Sequence, residues 1–96
     1  MNEIEIFYLA SCPYCVKAQK AAAELRAEKP DYAALPLRWI EESRERELAD
    51  SRDYYYVPTF FYAGEKLYEC SPRHGYEDIK TNIKTVFDTV LSRPEA

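Results

Sequence analysis

Two cysteines with two residues between them stand near the start of the chain, in the sequence Cys12-Pro13-Tyr14-Cys15. Thiols at this spacing can form a reversible disulfide, supply half of a tetrahedral zinc site, or be unrelated neighbours. In thiol–disulfide exchange, one thiolate attacks a substrate disulfide and the second thiol then displaces the product. The spacing alone leaves all three chemistries open, so the elements around the pair must discriminate between them.

A helix is predicted to begin at the cysteine pair and to end before Pro30. Pro13 suits a first helical turn, because that position leaves an N–H unpaired and proline has none. Residues at helical spacing then form an apolar face, namely Cys15, Ala18, Ala22 and Leu25. Cys12 would lie at the helix N-terminus, where unpaired N–H groups and the helix dipole favour a thiolate. We therefore expect Cys12 to be the nucleophile and Cys15, one turn inward, to be the resolving thiol.

Two strands and a short helix are predicted around this element. Residues 4–9 are nearly all apolar and indicate a strand covered on both faces. Alternating apolar residues within 35–42 predict a second strand. Ser43 is expected to cap a short charged helix whose inward residues are Leu48 and Ala49.

The second half of the sequence predicts a hairpin and a long helix. Two aromatic-rich strands, at 59–62 and 66–70, flank a turn at 63–65. The last helix is expected between Gly75 and Pro94, with an apolar face formed by Ile79, Ile83, Val86, Phe87, Val90 and Leu91. The chain is therefore predicted to be one α/β domain over residues 1–96. Its four-stranded mixed sheet (βαβ, then αββα) would carry helices on both faces.

With these elements assigned, the chain resembles the thioredoxin-like superfamily, and most closely its glutaredoxin branch. The sequence from Cys12 to Cys15 matches the dithiol motif of glutaredoxins at the expected strand-to-helix junction. Val57-Pro58-Thr59 stands just before the hairpin, where that family has a proline with a cis peptide bond. The resemblance covers essentially the whole chain. It implies a thioredoxin-like fold and a thiol–disulfide oxidoreductase that reduces protein disulfides or glutathione mixed disulfides.

The resemblance also implies substrate-binding residues and an electron source. A cis bond between Val57 and Pro58 would lie beside Cys12 and leave the backbone of Val57 free to pair with an extended substrate. Tyr14 would line the substrate groove. Electrons would come from glutathione, acting as a co-substrate, or from a thioredoxin-reductase-type donor, and no bound cofactor is expected.

The region after the hairpin departs from the family pattern. Glutaredoxins have a lysine shortly before the first cysteine, and a Gly-Gly pair that helps to grip the γ-glutamyl end of glutathione. This chain has Leu-Ala-Ser at 9–11 and Tyr-Glu-Cys-Ser-Pro-Arg-His-Gly at 68–75. Glutathione use is therefore left open, with Ser71 as a partial substitute for the missing grip and a thioredoxin-type reductant as the alternative. Cys70 is interpreted as an apolar filler at a strand end, and alternatively as a secondary redox thiol.

A metal site is the main competing hypothesis. Cys12, Cys15, Cys70 and His74 could form a Cys₃His zinc set, and an iron–sulfur cluster shared between two subunits is a further alternative. A Pro-Tyr pair between the cysteines is unlike a zinc knuckle, and the only histidine has no evident supporting partner. His74 is by default expected on a surface loop, and no metal is predicted. A non-catalytic interaction domain on the same fold remains the third alternative.

Composition limits the possible partners. The 96 residues carry a net charge of −4 and no basic stripe, which argues against nucleic acid. The aromatic run at 54–56 and 60–62 is therefore interpreted as core and groove wall rather than as a platform for nucleobases. No segment approaches the ~20 apolar residues of a membrane helix, and no basic leader precedes residues 4–9. We expect a cytoplasmic protein, since its three cysteines do not suggest a structural disulfide framework. We also expect it to be a monomer.

Overall fold

The computed structural model describes residues 2–93, which form a mixed sheet of four strands. The strands are β1 (Ile4–Tyr8), β2 (Leu37–Glu41), β3 (Thr59–Tyr62) and β4 (Glu65–Glu69), in the order β2-β1-β3-β4. β1 pairs parallel with β2 and antiparallel with β3, and β3 and β4 form an antiparallel hairpin. The predicted α/β class and the predicted mixed sheet are confirmed.

Helices cover both faces of this sheet. They are α1 (Pro13–Glu28), α2 (Pro30–Ala33), α3 (Arg46–Asp50) and α4 (Tyr76–Ser92). Side chains of a strand alternate between the two faces. Ile6 of β1 accordingly packs in the core that contains residues of α1 and α4, whereas its neighbour Phe7 packs with Ala49 of α3. Within residues 2–93, no helix combines the length and the apolar character that crossing a membrane requires.

The first helix begins at Pro13 as predicted, and its expected inward residues are buried. Pro30 follows the end of α1 and is also the first residue of the short helix α2. The sequence analysis did not predict α2, although proline suits a first helical position as well as a helix end. Tyr32 of α2 is buried against the α1–α4 core.

The predicted cap of the third helix is wrong. The N-cap residue of α3 is Glu45, which makes no side-chain cap hydrogen bond. The Ser43 hydroxyl instead donates to the carboxylate of Glu41, 2.5 Å away. Ala49 is buried and Leu48 is half-buried, as predicted.

The remaining element ends differ from the predictions by small amounts. The hairpin turn contains only Ala63 and Gly64, both with positive φ (51° and 83°), so β4 begins at Glu65 and ends before Cys70. α4 begins after Gly75, but the predicted core residue Leu91 is exposed. Pro94 lies outside the described residues.

Candidate active site

Cys12 stands where the chain turns from β1 into α1. It is the N-cap residue of the helix, with extended backbone angles, and its side chain is partly exposed. Its carbonyl oxygen accepts hydrogen bonds from Cys15 N–H (3.0 Å) and Val16 N–H (3.1 Å). Pro13 has no N–H, and the N–H of Tyr14 meets no acceptor among residues 2–93. The Cys12 side chain makes no cap hydrogen bond, so the N-terminus of α1 beside it keeps an unused donor together with the positive end of the helix dipole.

Cys15 lies one turn further along the helix and is only 1% exposed. Its sulfur accepts a hydrogen bond from the N–H of Leu9, 3.4 Å away, immediately after β1. Burial raises the pKa of the Cys15 thiol to about 12; the Leu9 N–H opposes this shift, and the hydrogen bond and charge of Cys12 add to it. At neutral pH, Cys15 is therefore a protonated thiol.

The peptide bond between Val57 and Pro58 is cis, which confirms the expectation from the resemblance. The Cys12 thiol donates weakly to the carbonyl oxygen of Val57, at a distance of 4.0 Å. The N–H of Val57 has no acceptor within the described part of the chain. On its other side, Pro58 is buried, and its carbonyl oxygen accepts the N–H of Cys70 at 3.0 Å. Val57 and Pro58 therefore link the surroundings of Cys12 to those of Cys70.

Glu69 holds the loop that leads to Val57. One oxygen of its carboxylate accepts the N–H groups of Tyr55 (2.5 Å) and Tyr56 (2.7 Å), and the other accepts from the ammonium group of Lys66 (2.8 Å). Burial alone would raise the pKa of Glu69, but Lys66 and the two N–H groups lower it overall. The sequence analysis missed this role, because a single acidic residue at a strand end gives no signal of a long-range contact.

A second carboxylate, that of Glu41, holds the loop between β1 and Cys12. Glu41, at the end of β2, accepts the N–H of Ala10 at 2.9 Å and both the N–H and the hydroxyl of Ser43. The Ser43 hydroxyl, followed by the Ala10 N–H, lowers the pKa of Glu41. Two carboxylates thus fix the two loops that border Cys12, since a charged acceptor forms the stronger kind of hydrogen bond.

The predicted substrate-binding residues Tyr14 and Ser71 are both engaged with the loop that follows β4. The Tyr14 hydroxyl donates to the carbonyl oxygen of Pro72 at 2.9 Å, and the half-buried ring packs against the α1–α4 core. The N–H of Ser71 donates to Nδ1 of His74 (3.3 Å), and its hydroxyl oxygen accepts the N–H of Arg73 (3.2 Å). The structure therefore ties the cysteine motif to this loop through Tyr14, while the polar groups of Ser71 are used within the loop.

Cys70 is buried, with 2% of its surface exposed, as its interpretation as an apolar filler requires. Its alternative role as a secondary redox thiol stays a prediction. Its sulfur lies 3.5 Å from the carbonyl oxygen of Ser71. Burial raises the pKa of the Cys70 thiol; a hydrogen bond from Tyr68 opposes the shift, and the charge of Cys12 adds to it. Cys15 also responds to the charges of both other thiols. All three cysteines are free thiols in this structure.

His74 does not join the cysteines in a metal site. Its Nδ1 lies 2.8 Å from the Tyr68 hydroxyl and accepts the Ser71 N–H, and its ring stacks on Tyr68 with a centroid distance of 5.7 Å. Among residues 2–93, no group of three or more histidine, cysteine, aspartate or glutamate side chains is arranged to hold a metal ion. The Cys₃His zinc set considered from the sequence is therefore not assembled, and His74 is half-buried rather than a free surface residue.

The aromatic run divides into buried and exposed parts. Tyr54 stacks on Phe7 with a centroid distance of 5.3 Å, and the three aromatic residues of β3 are buried: Phe60, Phe61 and Tyr62. Tyr55 and Tyr56 are exposed, so of the two predicted environments, core and groove wall, the core is wrong for these two residues. The structure therefore places large apolar rings in solvent directly before Val57.

The site contains a partly exposed thiol at a helix N-terminus, a buried thiol one turn behind it, and a cis-proline loop beside the exposed thiol. Comparisons of the chain with models of protein families, with curated proteins and with solved structures give no match.

Proposed function

We propose that this protein is a thiol–disulfide oxidoreductase with a thioredoxin-like fold of the glutaredoxin type. In this proposal Cys12 is the nucleophile and Cys15 is the resolving thiol. The observation that carries the proposal is the position of the two cysteines: Cys12 is the N-cap residue of α1 and is partly exposed, while Cys15 is buried one turn behind it. The cis-proline loop at Val57 and the mixed sheet order support the proposed fold.

The first step is attack by the Cys12 thiolate on one sulfur of a substrate disulfide. The substrate S–S bond breaks and a Cys12–substrate disulfide forms. The other substrate sulfur leaves as a thiolate, which takes a proton from solvent. The unused N–H of Tyr14 and the α1 dipole favour the attacking thiolate, since both direct positive charge to the helix N-terminus.

The second step is attack by Cys15 on the Cys12 sulfur. The Cys15 proton is transferred to the departing substrate sulfur, and a Cys12–Cys15 disulfide remains. Burial, together with the hydrogen bond and charge of Cys12, raises the pKa of Cys15. When Cys12 forms the mixed disulfide, it loses both the hydrogen bond and the charge that raise the pKa of Cys15. Cys15 therefore ionises more readily at the step in which it must react. The Leu9 N–H, 3.4 Å from the Cys15 sulfur, then stabilises the negative charge that develops there.

The proposal includes the return of the disulfide to two thiols. A thiol donor supplies two electrons, and we infer that this donor is glutathione or a thioredoxin-reductase-type enzyme. A reducing compartment such as the cytoplasm suits this cycle, because it keeps the donor reduced. The reaction as written needs one copy of the chain and no bound cofactor.

The test is reduction of L-cystine with dithiothreitol as the electron source. Wild-type protein should accelerate the reaction, Cys12→Ser should reduce it to the uncatalysed rate, and Cys70→Ser should retain most of it. Circular dichroism of each variant confirms that the fold survives. Full activity in a folded Cys12→Ser variant would refute the proposal, as would the absence of acceleration by the wild-type protein.

A further inference from the structure

A cavity of about 390 Å³ lies between α1 and β2. Its volume is within the range of about 300–1,000 Å³ that is typical of small-molecule sites. α1 contributes four residues at helical spacing and β2 contributes two residues of one strand face, and we call the space the α1–β2 cavity. The six lining residues are Gln19, Ala22, Ala23, Arg26, Leu37 and Trp39. None of them belongs to the site around Cys12.

Small side chains of α1 leave this space open. Ala22 and Ala23 share the cavity with Leu37 and Trp39, and their methyl groups are too short to cover the two larger side chains, which stay half-buried. β2 is an outer strand of the sheet, so no further strand covers this side. The cavity therefore offers apolar walls that a ligand can reach from solvent.

Trp39 forms a firmly held aromatic wall of the cavity. Its indole ring meets the rings of Tyr8 and Phe60 at steep angles, with centroid distances of 5.8 Å and 6.3 Å. These contacts hold the indole from the side of the sheet. A planar ring can stack on such a wall and gain more than the burial of apolar area alone provides.

Arg26 adds a fixed positive charge to the lining. Its guanidinium group donates to the carbonyl oxygens of Leu35 (2.7 Å), Ala33 (2.9 Å) and Tyr32 (3.1 Å). These bonds use three of the five guanidinium N–H groups and leave the Nε–H and one N–H of Nη2. No carboxylate among residues 2–93 lies within ion-pair distance of Arg26. Two N–H groups on neighbouring nitrogens can take both oxygens of one carboxylate.

We propose that the α1–β2 cavity binds a small aromatic carboxylate, a compound with one planar ring system and one carboxylate group. The ring stacks on Trp39 beside Ala22 and Ala23, and the carboxylate pairs with Arg26. The held guanidinium favours an anion and disfavours an amine of similar shape, because the amine would meet a like charge. The binding is non-covalent, and it goes beyond the proposed function without depending on it.

The test is a titration with cinnamate, followed by nuclear magnetic resonance of the isotope-labelled protein. Trp39 is the only tryptophan in the chain, so a single indole N–H resonance reports on the cavity. This resonance should shift and reach saturation. Cinnamamide, which has the same shape without the charge, should bind about tenfold more weakly, because the charge-assisted pair with Arg26 is lost. The absence of a saturable shift, or equal affinity for the two compounds, would overturn the proposal.

Two leucine variants of α1 show whether the ligand occupies this cavity. Ala23→Leu should bind cinnamate about tenfold more weakly, because the larger side chain takes up part of the space. The matched control is Ala27→Leu, the same change one turn later, at an exposed position that does not line the cavity. Its affinity should equal that of the wild-type protein. Unchanged binding by a folded Ala23→Leu variant, or equal losses in both variants, would overturn the proposal.

A third variant tests the charge. In Arg26→Gln, the difference in affinity between cinnamate and cinnamamide should disappear, because glutamine carries no charge for the carboxylate. Circular dichroism confirms the fold of each variant, and the leucine pair keeps the proposal testable if Arg26→Gln loosens α2. A difference that persists in a folded Arg26→Gln protein would overturn the proposal. Reduction of L-cystine tests the proposed function separately, so the two can fail independently.

Discussion

The N–H of Leu9 donates to the sulfur of Cys15, 3.4 Å away. Leu9 follows the last residue of β1, and Cys15 belongs to the first turn of α1, so one hydrogen bond joins the end of the central strand to the inner thiol. The predicted strand over 4–9 ends one residue early, and the N–H of Leu9 serves the sulfur of Cys15 instead. The strand end is thereby part of the site.

The first prediction concerns thiol accessibility. At neutral pH, iodoacetamide should label the native protein once, at Cys12, and the unfolded protein three times. Cys15 and Cys70 are buried, and raising the pKa of Cys15 from 9.0 to about 12 lowers its thiolate fraction about a thousandfold. Intact-mass spectrometry and peptide mapping measure the labels. Rapid labelling of Cys15 in the native protein would contradict the geometry, and a Cys12→Ser control should remain unlabelled.

The second prediction is a loss of stability in alkali. In the unfolded chain the Cys15 thiol ionises near its ordinary pKa of 9.0, whereas burial raises its folded pKa to about 12. The unfolded state therefore binds fewer protons between these values, so stability is complete below pH 9 and falls as the pH rises toward 12. The slope is up to about 1.4 kcal/mol per pH unit for this group. Burial also raises the pKa of Tyr54 and Tyr68, which adds to the loss.

Urea unfolding at pH 8 and pH 10 measures this effect. The wild-type midpoint should fall between the two pH values, and the midpoint of Cys15→Ala should fall by less, because alanine has no proton to lose. Equal shifts of the urea midpoint in the two proteins would show that Cys15 does not contribute to the loss of stability in alkali.

The third prediction concerns Glu69. A Glu69→Gln variant keeps one acceptor oxygen but loses the charge that holds Tyr55, Tyr56 and Lys66. We expect faster amide exchange at 55 and 56 and a loss of about 1 kcal/mol in unfolding free energy, moderated by solvent around the side chain. The pKa of Glu69 is lowered on folding, so its contribution is present above pH 4.5 and is lost as the pH falls. Glu77→Gln, at an exposed acid in α4, is the control and should leave both amides unchanged.

The fourth prediction concerns Tyr14. A Tyr14→Phe variant removes the 2.9 Å hydrogen bond to Pro72 but keeps the ring against the core. We expect a loss of about 0.5 kcal/mol in unfolding free energy, since this bond is partly exposed to solvent, and faster iodoacetamide labelling of Cys70 as the loop loosens. Unchanged labelling of Cys70 would show that the hydroxyl does not secure this loop.

Local patterns in the sequence predicted most of the elements. Pro13 and the apolar spacing behind it fixed the start of α1, and the alternation of apolar residues indicated the strands. The prediction of Leu91 as a core residue was wrong, because this residue continues the apolar pattern of α4 into a turn where its side chain is exposed. The prediction of Ser43 as a helix cap was wrong, because its hydroxyl donates to Glu41 instead. A sequence pattern cannot show such competition between residues for one donor.

The sequence predicted where the two thiols lie on α1, but not the residues that hold the loops around them. Spacing placed Cys12 at the start of α1 and Cys15 on its inward face, and the resemblance implied the cis bond at Pro58. Glu69 accepts the N–H groups of Tyr55 and Tyr56, which lie fourteen and thirteen positions before it, and no local signal encodes that contact. The internal pairing of Ser71 with His74 was likewise missed, because it depends on how the loop closes on itself.

The most direct test of the central claim is to trap the mixed disulfide. Reduced Cys15→Ser protein, incubated with insulin, should accumulate a covalent adduct of one insulin chain through Cys12, and dithiothreitol should release it. Tryptic mapping under non-reducing conditions identifies the bonded cysteine. The account predicts that the adduct is at Cys12 and that a Cys12→Ser, Cys15→Ser double variant forms none. An adduct at Cys70, or no adduct in a folded Cys15→Ser protein, would contradict it.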